Sequence, residues 1–274
     1  MTEAADNMLG ADIAGLPDLE LLAELQDLIV RAEKERPRSL QRALGPSGVA
    51  HECQRRLAYM TVRSRIEVPE GYLAGPNTYN DPLAAIFGTA MHTWMEEAVR
   101  KANERHKQET GSDVPIWIPE AKVTVREGLT GSCDLYHVPS GSVLDWKFPG
   151  TTRYAHYKKH GPSNTYRGQA HLYGRGYRNF GLPVNHVGIV FISRTGTLRQ
   201  MHLWREPYDD GYVDDILARL DRVEEHIEEL SISPFNPAGF KQIPIAPDDD
   251  CDFCPWHSVN PQNAFQCGGK EEVR

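Results

Sequence analysis

The sequence predicts a mixed α/β protein, an α+β sheet with helices packed around it. Two observations predict it. Between Ala121 and Trp204 five short apolar runs, bounded by Gly, Pro, Asn and Ser, read as strands. Before, between and after them apolar residues recur at helical spacing, which gives a core order of helix, three strands, helix, two strands. A length of 274 residues is enough to bury a proper core, and the sequence shows no internal repeat and no low-complexity tract.

Taken in order, residues 1–15 lack any periodic apolar signal and are expected to be disordered. Leu21, Leu22, Leu25, Leu28 and Ile29 then define a helix opened by Pro17-Asp18 and closed before Pro37. Gly45-Pro46-Ser47 turns into a second helix from Val49 to about Tyr59, which carries Cys53, Arg55 and Arg56. Residues 67–82 are rich in Pro, Gly and Asn and read as a loop. The helix Ala84–His106 has Ile86, Phe87, Met91, Trp94, Met95 and Val99 as its apolar side and sets His92 and Glu96 on one face.

After the break at Gly111–Pro119, Ala121–Val125 alternates as a half-buried strand. Ser132–Val138 and Ser142–Phe148 read as two more strands around the turn at Pro139-Ser-Gly141. Tyr166–Phe180 reads as a helix, Val187–Ser193 and Leu198–Trp204 as a hairpin about Thr195-Gly196, and Tyr212–Leu230 as an amphipathic helix. The segments expected are thus N-terminal helices over 16–66, a core over 84–230, and a Pro-rich, cysteine-bearing tail over 231–274.

No apolar run approaches the roughly 20 residues that span a bilayer, and the N-terminus has no basic region followed by an apolar one, so a cytoplasmic protein without membrane contact is expected. The net charge of -8 argues superficially against a nucleic-acid partner, but its distribution does not. From Trp146 to Arg205 there is no Asp or Glu, while Arg153, Lys158, Lys159, Arg167 and Arg175 all fall there. Such a stretch is either a phosphate-binding surface or a solvated basic face. Tyr154, Tyr157, Tyr166, Tyr173 and Tyr177 in the same stretch offer stacking surfaces, although Tyr166, Tyr173 and Tyr177 serve equally as helix core.

Four small motifs carry the chemistry: Gly88-x-x-x-His92, Gly131-x-x-Asp134, Asp145-x-Lys147 and Gln169-x-x-x-Tyr173. Each alone is weak, since Asp-x-Lys is commonly a surface ion pair and a lone histidine is commonly a core residue. Here the strand bearing Asp145 and Lys147 is otherwise apolar, and two charges on it require a reason. Pairing of the two strands would bring Asp134 and Asp145 to one ion, and Lys147, two residues on, would share the face of Asp145. Phosphodiester hydrolysis needs a cation on the phosphate and hydroxide at neutral pH, and a bound Mg²⁺ or Mn²⁺ supplies both. A lysine beside it can hold the attacking water or neutralise developing charge.

This motif series resembles that of the RecB-type nucleases of the PD-(D/E)xK superfamily, with a restriction-endonuclease-like core. Cys53, Cys251, Cys254 and Cys267 bracket it, and with the opening Pro46-Ser47…Cys53-x-Arg55 they resemble the iron–sulfur branch, similar to AddB nuclease domains and to CRISPR-associated and phage-encoded four-cysteine exonucleases. The resemblance covers roughly residues 46–267. It implies a Mg²⁺- or Mn²⁺-dependent DNA exonuclease acting on single-stranded ends in recombination, repair or phage DNA processing. It implies that His92, Asp134, Asp145 and the Trp146 carbonyl bind the metal, that Lys147 is the catalytic lysine, and that Gln169 and Tyr173 position the DNA strand or the lysine. Glu96 and Glu120 are outer partners of the site or plain solvated side chains. A helicase or recombinase would have to supply any unwinding. Cys133 stands where the family often has proline.

The resemblance further implies a structural 4Fe–4S cluster on the four bracketing cysteines. Spacing alone serves zinc nearly as well, either on the same four or with His257 replacing one, and the gap from Cys254 to Cys267 is longer than the family's usual spacing. Cys133 is left over as a buried small residue. Two other readings stand beside the nuclease: a non-catalytic DNA-binding adaptor on the same fold, and a zinc-stabilised interaction domain.

Overall fold

The structure is a computed structural model that describes residues 18–35, 43–65, 81–246, 251 and 254–269. Residues 1–15, expected to be disordered, lie outside the described residues, as do 66–80 of the expected loop. The chain divides into two compact units, Met1–Gln41 with Asn80–Ile86, and Arg42–Tyr79 with Phe87–Arg274. In the first, helix α1 spans Asp18–Lys34, and every apolar residue of its expected stripe stays exposed. No helix among the described residues is long and apolar enough to cross a membrane.

The second unit is built on one five-stranded sheet in the order β1-β2-β3-β4-β5. β1 (Trp117–Arg126), β2 (Leu129–His137) and β3 (Ser142–Lys147) form an antiparallel meander. β4 (His186–Phe191) joins β3 in parallel, and β5 (His202–Pro207) closes the far edge antiparallel to β4. The mixed sheet with flanking helices is the expected fold class. The parallel pair needs a crossover, since a tight turn cannot return the chain to the same end. That crossover holds helix α6 (Asn164–Asn179) as expected, and a helix that the sequence reading missed, α5 (Thr151–His160).

Helix α6 is the centre of the molecule. On one side Ala170, Tyr173 and Tyr177 pack with Val123, Val143, Ile189 and Phe191 of the sheet. On the other, Leu172 enters a second core shared with α2 (Pro46–Val49), α3 (Gln54–Arg65), α7 (Asp210–Glu229) and the C-terminal Phe240 and Trp256. Contact this close needs small residues: a Cβ on Gly176 would stand 2.6 Å from Val123 Cγ2. Tyr173 and Tyr177 are helix core, and Tyr154 and Tyr157, expected as stacking surfaces, are buried as well.

Three expectations need correction. The helix expected from Val49 to Tyr59 is two pieces, α2 and α3, with a break over residues 50–53. Cys53 stands immediately before α3 and accepts its first helical bond, from Leu57 N–H at 3.0 Å, so it caps the helix instead of lying within it. The hairpin expected about Thr195-Gly196, with strands over Val187–Ser193 and Leu198–Trp204, is a ten-residue connection, because β4 pairs Phe191 with His202. Thr197 and Gln200 cap a 3₁₀ turn, Leu198–Gln200, where a strand was expected. Helix α4 (Leu83–Thr110) forms as predicted, but none of its residues is buried, and Trp94 is 60% exposed. It holds to the sheet through polar groups: Asn103 exchanges two hydrogen bonds with the Trp117 backbone, at 2.7 and 3.1 Å, and His92 reaches Asp134.

Candidate active site

The site lies where the β2–β3 ladder stops. The register runs His137 to Ser142, Tyr136 to Val143 and Leu135 to Leu144. One step further would set Asp134 opposite Asp145, but there the strands no longer pair. Instead the Trp146 N–H donates to Asp134 Oδ2 at 2.8 Å, so a side chain takes the backbone donor that the ladder left free. Tyr136 stacks on Tyr177, and Cys133 packs into the same core. Two residues an odd number apart cannot share a face of a regular strand, so the pleat is interrupted between them, at Asp134. Across β1 the partner position is Glu120, which sits at φ 46 between the paired Pro119 and Ala121. A non-glycine residue held in the left-handed region is strained, and such strain gathers at sites.

These two irregularities turn Glu120 and Asp134 toward α4. One ligand atom from each of His92, Glu120 and Asp134 lies within 4.8 Å of the others. His92 Nδ1 is 3.2 Å from Asp134 Oδ1, and its ring meets Phe148 edge-on at 5.5 Å between centroids. Burial pulls His92 down, but the hydrogen bond and charge of Asp134, with Asp145 behind, carry it above its ordinary value. Sequence reasoning gave Glu120 only an outer or solvated role. The signal that could have raised it is Pro119, since proline inside a strand marks an edge or a bulge.

Asp145 and Lys147 share the face under α6, as their spacing required. Asp145 is 3% exposed, and its Oδ2 pairs with the Lys147 ammonium while Oδ1 accepts from Gln169 Nε2 at 3.1 Å. Gln169 Nε2 also lies 3.4 Å from the Tyr173 hydroxyl. The helical pair thus holds the Asp145 carboxylate, where positioning of DNA or of the lysine was expected. Burial pushes the Asp145 carboxyl up, more than Lys147 pulls it down, and the nearby Asp134 pushes it further. Burial draws Lys147 down, but Asp145, Tyr166 and Asp134 outweigh it and leave the ammonium above its usual range. That ammonium also sits 4.8 Å from the centre of the Tyr166 ring, a contact the sequence did not announce.

The motif glycines differ. A Cβ on Gly131 would stand 2.6 Å from Pro46 Cδ and 3.1 Å from Tyr173 Cε1, so this glycine lets α2 and α6 close on β2. A Cβ on Gly88 would meet nothing within 4 Å. Among the basic candidates, Arg167 pairs with Glu206 at 2.5 Å, and Arg175 pairs with Asp210 and Asp214 at 2.8 and 2.7 Å. Both are engaged inside the fold. Lys158 and Lys159 lie exposed on α5, and Arg153 is half-buried there. Glu96, on α4, pairs with Arg100.

The four bracketing cysteines meet. Cys53, Cys251, Cys254 and Cys267 line one cavity together with His51, Arg56 and His257. Cys53 sits at the N-terminal end of α3. Cys254 N–H bonds to the Cys251 carbonyl at 3.0 Å, and Cys267 N–H to the Trp256 carbonyl at 2.8 Å, so backbone bonds close the long gap to Cys267. Burial pushes the Cys254 thiol up to about 11, against the pull of Arg56. Cys133 lies apart, wholly buried under α6.

Both donor sets fit the groups that the resemblance implies. Two carboxylates and an imidazole within reach of one point, with Asp145 adjacent, suit Mg²⁺ or Mn²⁺. Four thiols around one cavity suit a thiolate-bound metal group.

No family model matches the chain, and no curated protein matches it. Solved structures show a likeness. An alkaline exonuclease (LHK-Exo) from Laribacter hongkongensis is 16% identical, over 69% of this chain and 92% of that one, with a TM-score of 0.42. SSO0001 is 14% identical, over 86% and 94%, also at 0.42. A phage related exonuclease from Haemophilus somnus 129PT is 14% identical, over 65% and 80%, at 0.37.

Proposed function

We propose that this protein is a divalent-metal-dependent deoxyribonuclease, an exonuclease hydrolysing single-stranded DNA ends in recombination, repair or phage DNA processing. One observation carries the reading. His92, Glu120 and Asp134 converge at the open end of a ladder whose next strand presents a buried Asp145–Lys147 pair. His92, Glu120, Asp134, Asp145 and the Trp146 carbonyl would hold Mg²⁺ or Mn²⁺, which when bound polarises the phosphate and supplies hydroxide. Lys147 offers a fixed positive charge to the developing phosphate charge, kept in place by Asp145 and the Tyr166 ring. Gln169 and Tyr173 fix the Asp145 carboxylate. Arg153, Lys158 and Lys159 give phosphate contact, and the ion pairs of Arg167 and Arg175 leave those two a structural part.

The four cysteines would hold a 4Fe–4S cluster with a structural role, since hydrolysis transfers no electron. The family resemblance favours it over zinc, which the same four cysteines, or three of them with His257, would also serve.

The test is degradation of end-labelled single-stranded DNA by anaerobically purified protein with Mn²⁺, Mg²⁺ or EDTA, beside Asp145→Asn and Lys147→Met. Metal-dependent cleavage is expected, reduced at least about a hundredfold in either variant. Absence of cleavage with retained, salt-sensitive DNA binding would put the adaptor reading in its place.

A further inference from the structure

Arg56 lines the cysteine cavity, and the adjacent Arg55 reaches one of its cysteines, Cys267. Arg55 is 6% exposed, and its guanidinium points inward. Its Nε donates to the Ile243 carbonyl at 3.1 Å, Nη2 to the Lys241 carbonyl at 3.0 Å, and Nη1 to Cys267 Sγ at 3.7 Å. A residue two positions after the first cysteine thus grips the last one and the segment that precedes it. Arg56 lines the cavity itself, and its Nε, shut off from solvent, has no hydrogen-bond partner among the described residues. A shielded guanidinium donor without an acceptor is costly unless an anion reaches it. Four thiolates around a metal core of charge about +2 leave a net charge of about −2, which is such an anion.

We infer that Arg55 and Arg56 are the positioning residues of a metal group held by the four cysteines: Arg55 fixes the Cys267 ligand, and the free Nε of Arg56 donates to a sulfur of the bound group. This rests on the reading that those cysteines hold a metal group, and it is independent of the nuclease reading. Arg55 also explains how a ligand far along the chain is brought to Cys53 and kept there when α3 and the C-terminal segment share no covalent link. Arginine suits both tasks because its rigid fork serves several acceptors at once.

The experiment measures iron, acid-labile sulfide and zinc per chain in anaerobically purified protein. It then follows the rate of metal loss to a chelator and, for an iron-loaded protein, the reduction potential in a dithionite titration. The proteins compared are the parent, Arg56→Gln, Arg56→Lys and Arg55→Lys. Arg56→Gln is expected to lose metal at least about tenfold faster. Its reduction should become about tenfold less favourable, a fall of about 59 mV for one electron, because a cation near the group is gone. Arg55→Lys keeps the charge but not the fork, and should lose metal faster with a smaller change in potential. If Arg56→Gln does not fold, Arg56→Lys carries the test, since it keeps the charge and removes the Nε donor. Parent-like loss rates and potentials in metal-loaded variants overturn the inference alone. A folded parent chain that holds neither iron nor zinc overturns both the inference and the metal reading of the cysteines.

Discussion

Asp145 shows how one side chain gathers the logic of the site. It is buried, accepts from Gln169 and pairs with Lys147, so its charge is fixed in place before any substrate arrives. Removing one partner of such a pair leaves an uncompensated charge. Lys147→Met or Asp145→Asn alone is therefore expected to lower stability by about 3 kcal/mol, while the double variant returns to within about 1 kcal/mol of the parent. Urea midpoints at pH 7 measure this, and additive effects of the two changes would show that the pair is not coupled. Glu120 makes the opposite kind of contribution, a strained backbone at φ 46 that aims a carboxylate at His92 and Asp134. Glu120→Gln should weaken Mn²⁺ binding by about tenfold or more while leaving the thermal midpoint in place. Calorimetric titration with Mn²⁺ reads the first, and unchanged affinity would remove Glu120 from the ligand set.

Helix α4 is held by polar contacts and buries no residue. Its stripe was legible in the sequence, but its apolar residues remain unburied and it meets the sheet through His92 and Asn103. Gly88 lies one turn before His92, on the same face, and nothing in the described chain comes within 4 Å of the Cβ it lacks. A glycine inside a helix costs about 0.5–1 kcal/mol relative to alanine. Gly88→Ala should therefore stabilise the protein by about that amount and, if the open space takes the DNA backbone, raise KM for single-stranded DNA. Stability and affinity would move in opposite senses, and a KM equal to the parent's would leave the space without a ligand. Gly176 on α6 is the contrast. There Val123 occupies the place of a Cβ, and Gly176→Ala should destabilise by about 1–3 kcal/mol, measured by thermal unfolding.

At the scale of the whole molecule, arginines of the acid-free stretch that ends at Arg205 fold onto carboxylates of the segment that follows it. Arg167 meets Glu206, Arg175 meets Asp210 and Asp214, and Arg178 pairs with Asp210. At the middle of that contact His171, wholly buried, accepts the Asp209 N–H on Nδ1 at 3.2 Å. Its Nε2 must then carry the hydrogen that faces Glu206 at 2.7 Å, the neutral form. Burial holds His171 below its ordinary value despite the pull of Glu206, and burial with Arg56 and Arg219 drives His51 down to about 3. Both histidines are less basic in the folded chain than in the unfolded one. Their contribution to stability is complete above about pH 6.5 and is lost as the pH falls through the folded values. Urea unfolding between pH 7.5 and 5 should show declining stability, with a shallower slope in His171→Gln. An identical slope in that variant would exclude His171 from the effect.

The sequence by itself determined the five strands and their order, the pairing of β2 with β3, and the shared face of Asp145 and Lys147. These follow from local rules: alternation along a strand, apolar spacing along a helix, and the need of a charge on an apolar strand for a reason. Tertiary structure alone decided the rest. Helix α5 was not legible because it is short and polar, and only the crossover between parallel β3 and β4 places it. Glu120 rose to the site because a break in the pleat at Asp134 and a left-handed backbone opposite it re-aim both side chains, and no spacing rule encodes a break. Arg167 and Arg175 were legible as charges, but their partners lie 39 and 35 residues further along the chain for the first ion pairs, and only folding brings those together. The same holds for Arg55 and Cys267, 212 residues apart. Local chemistry is written in neighbouring residues, whereas the neutralisation of a buried charge is a contact between distant ones.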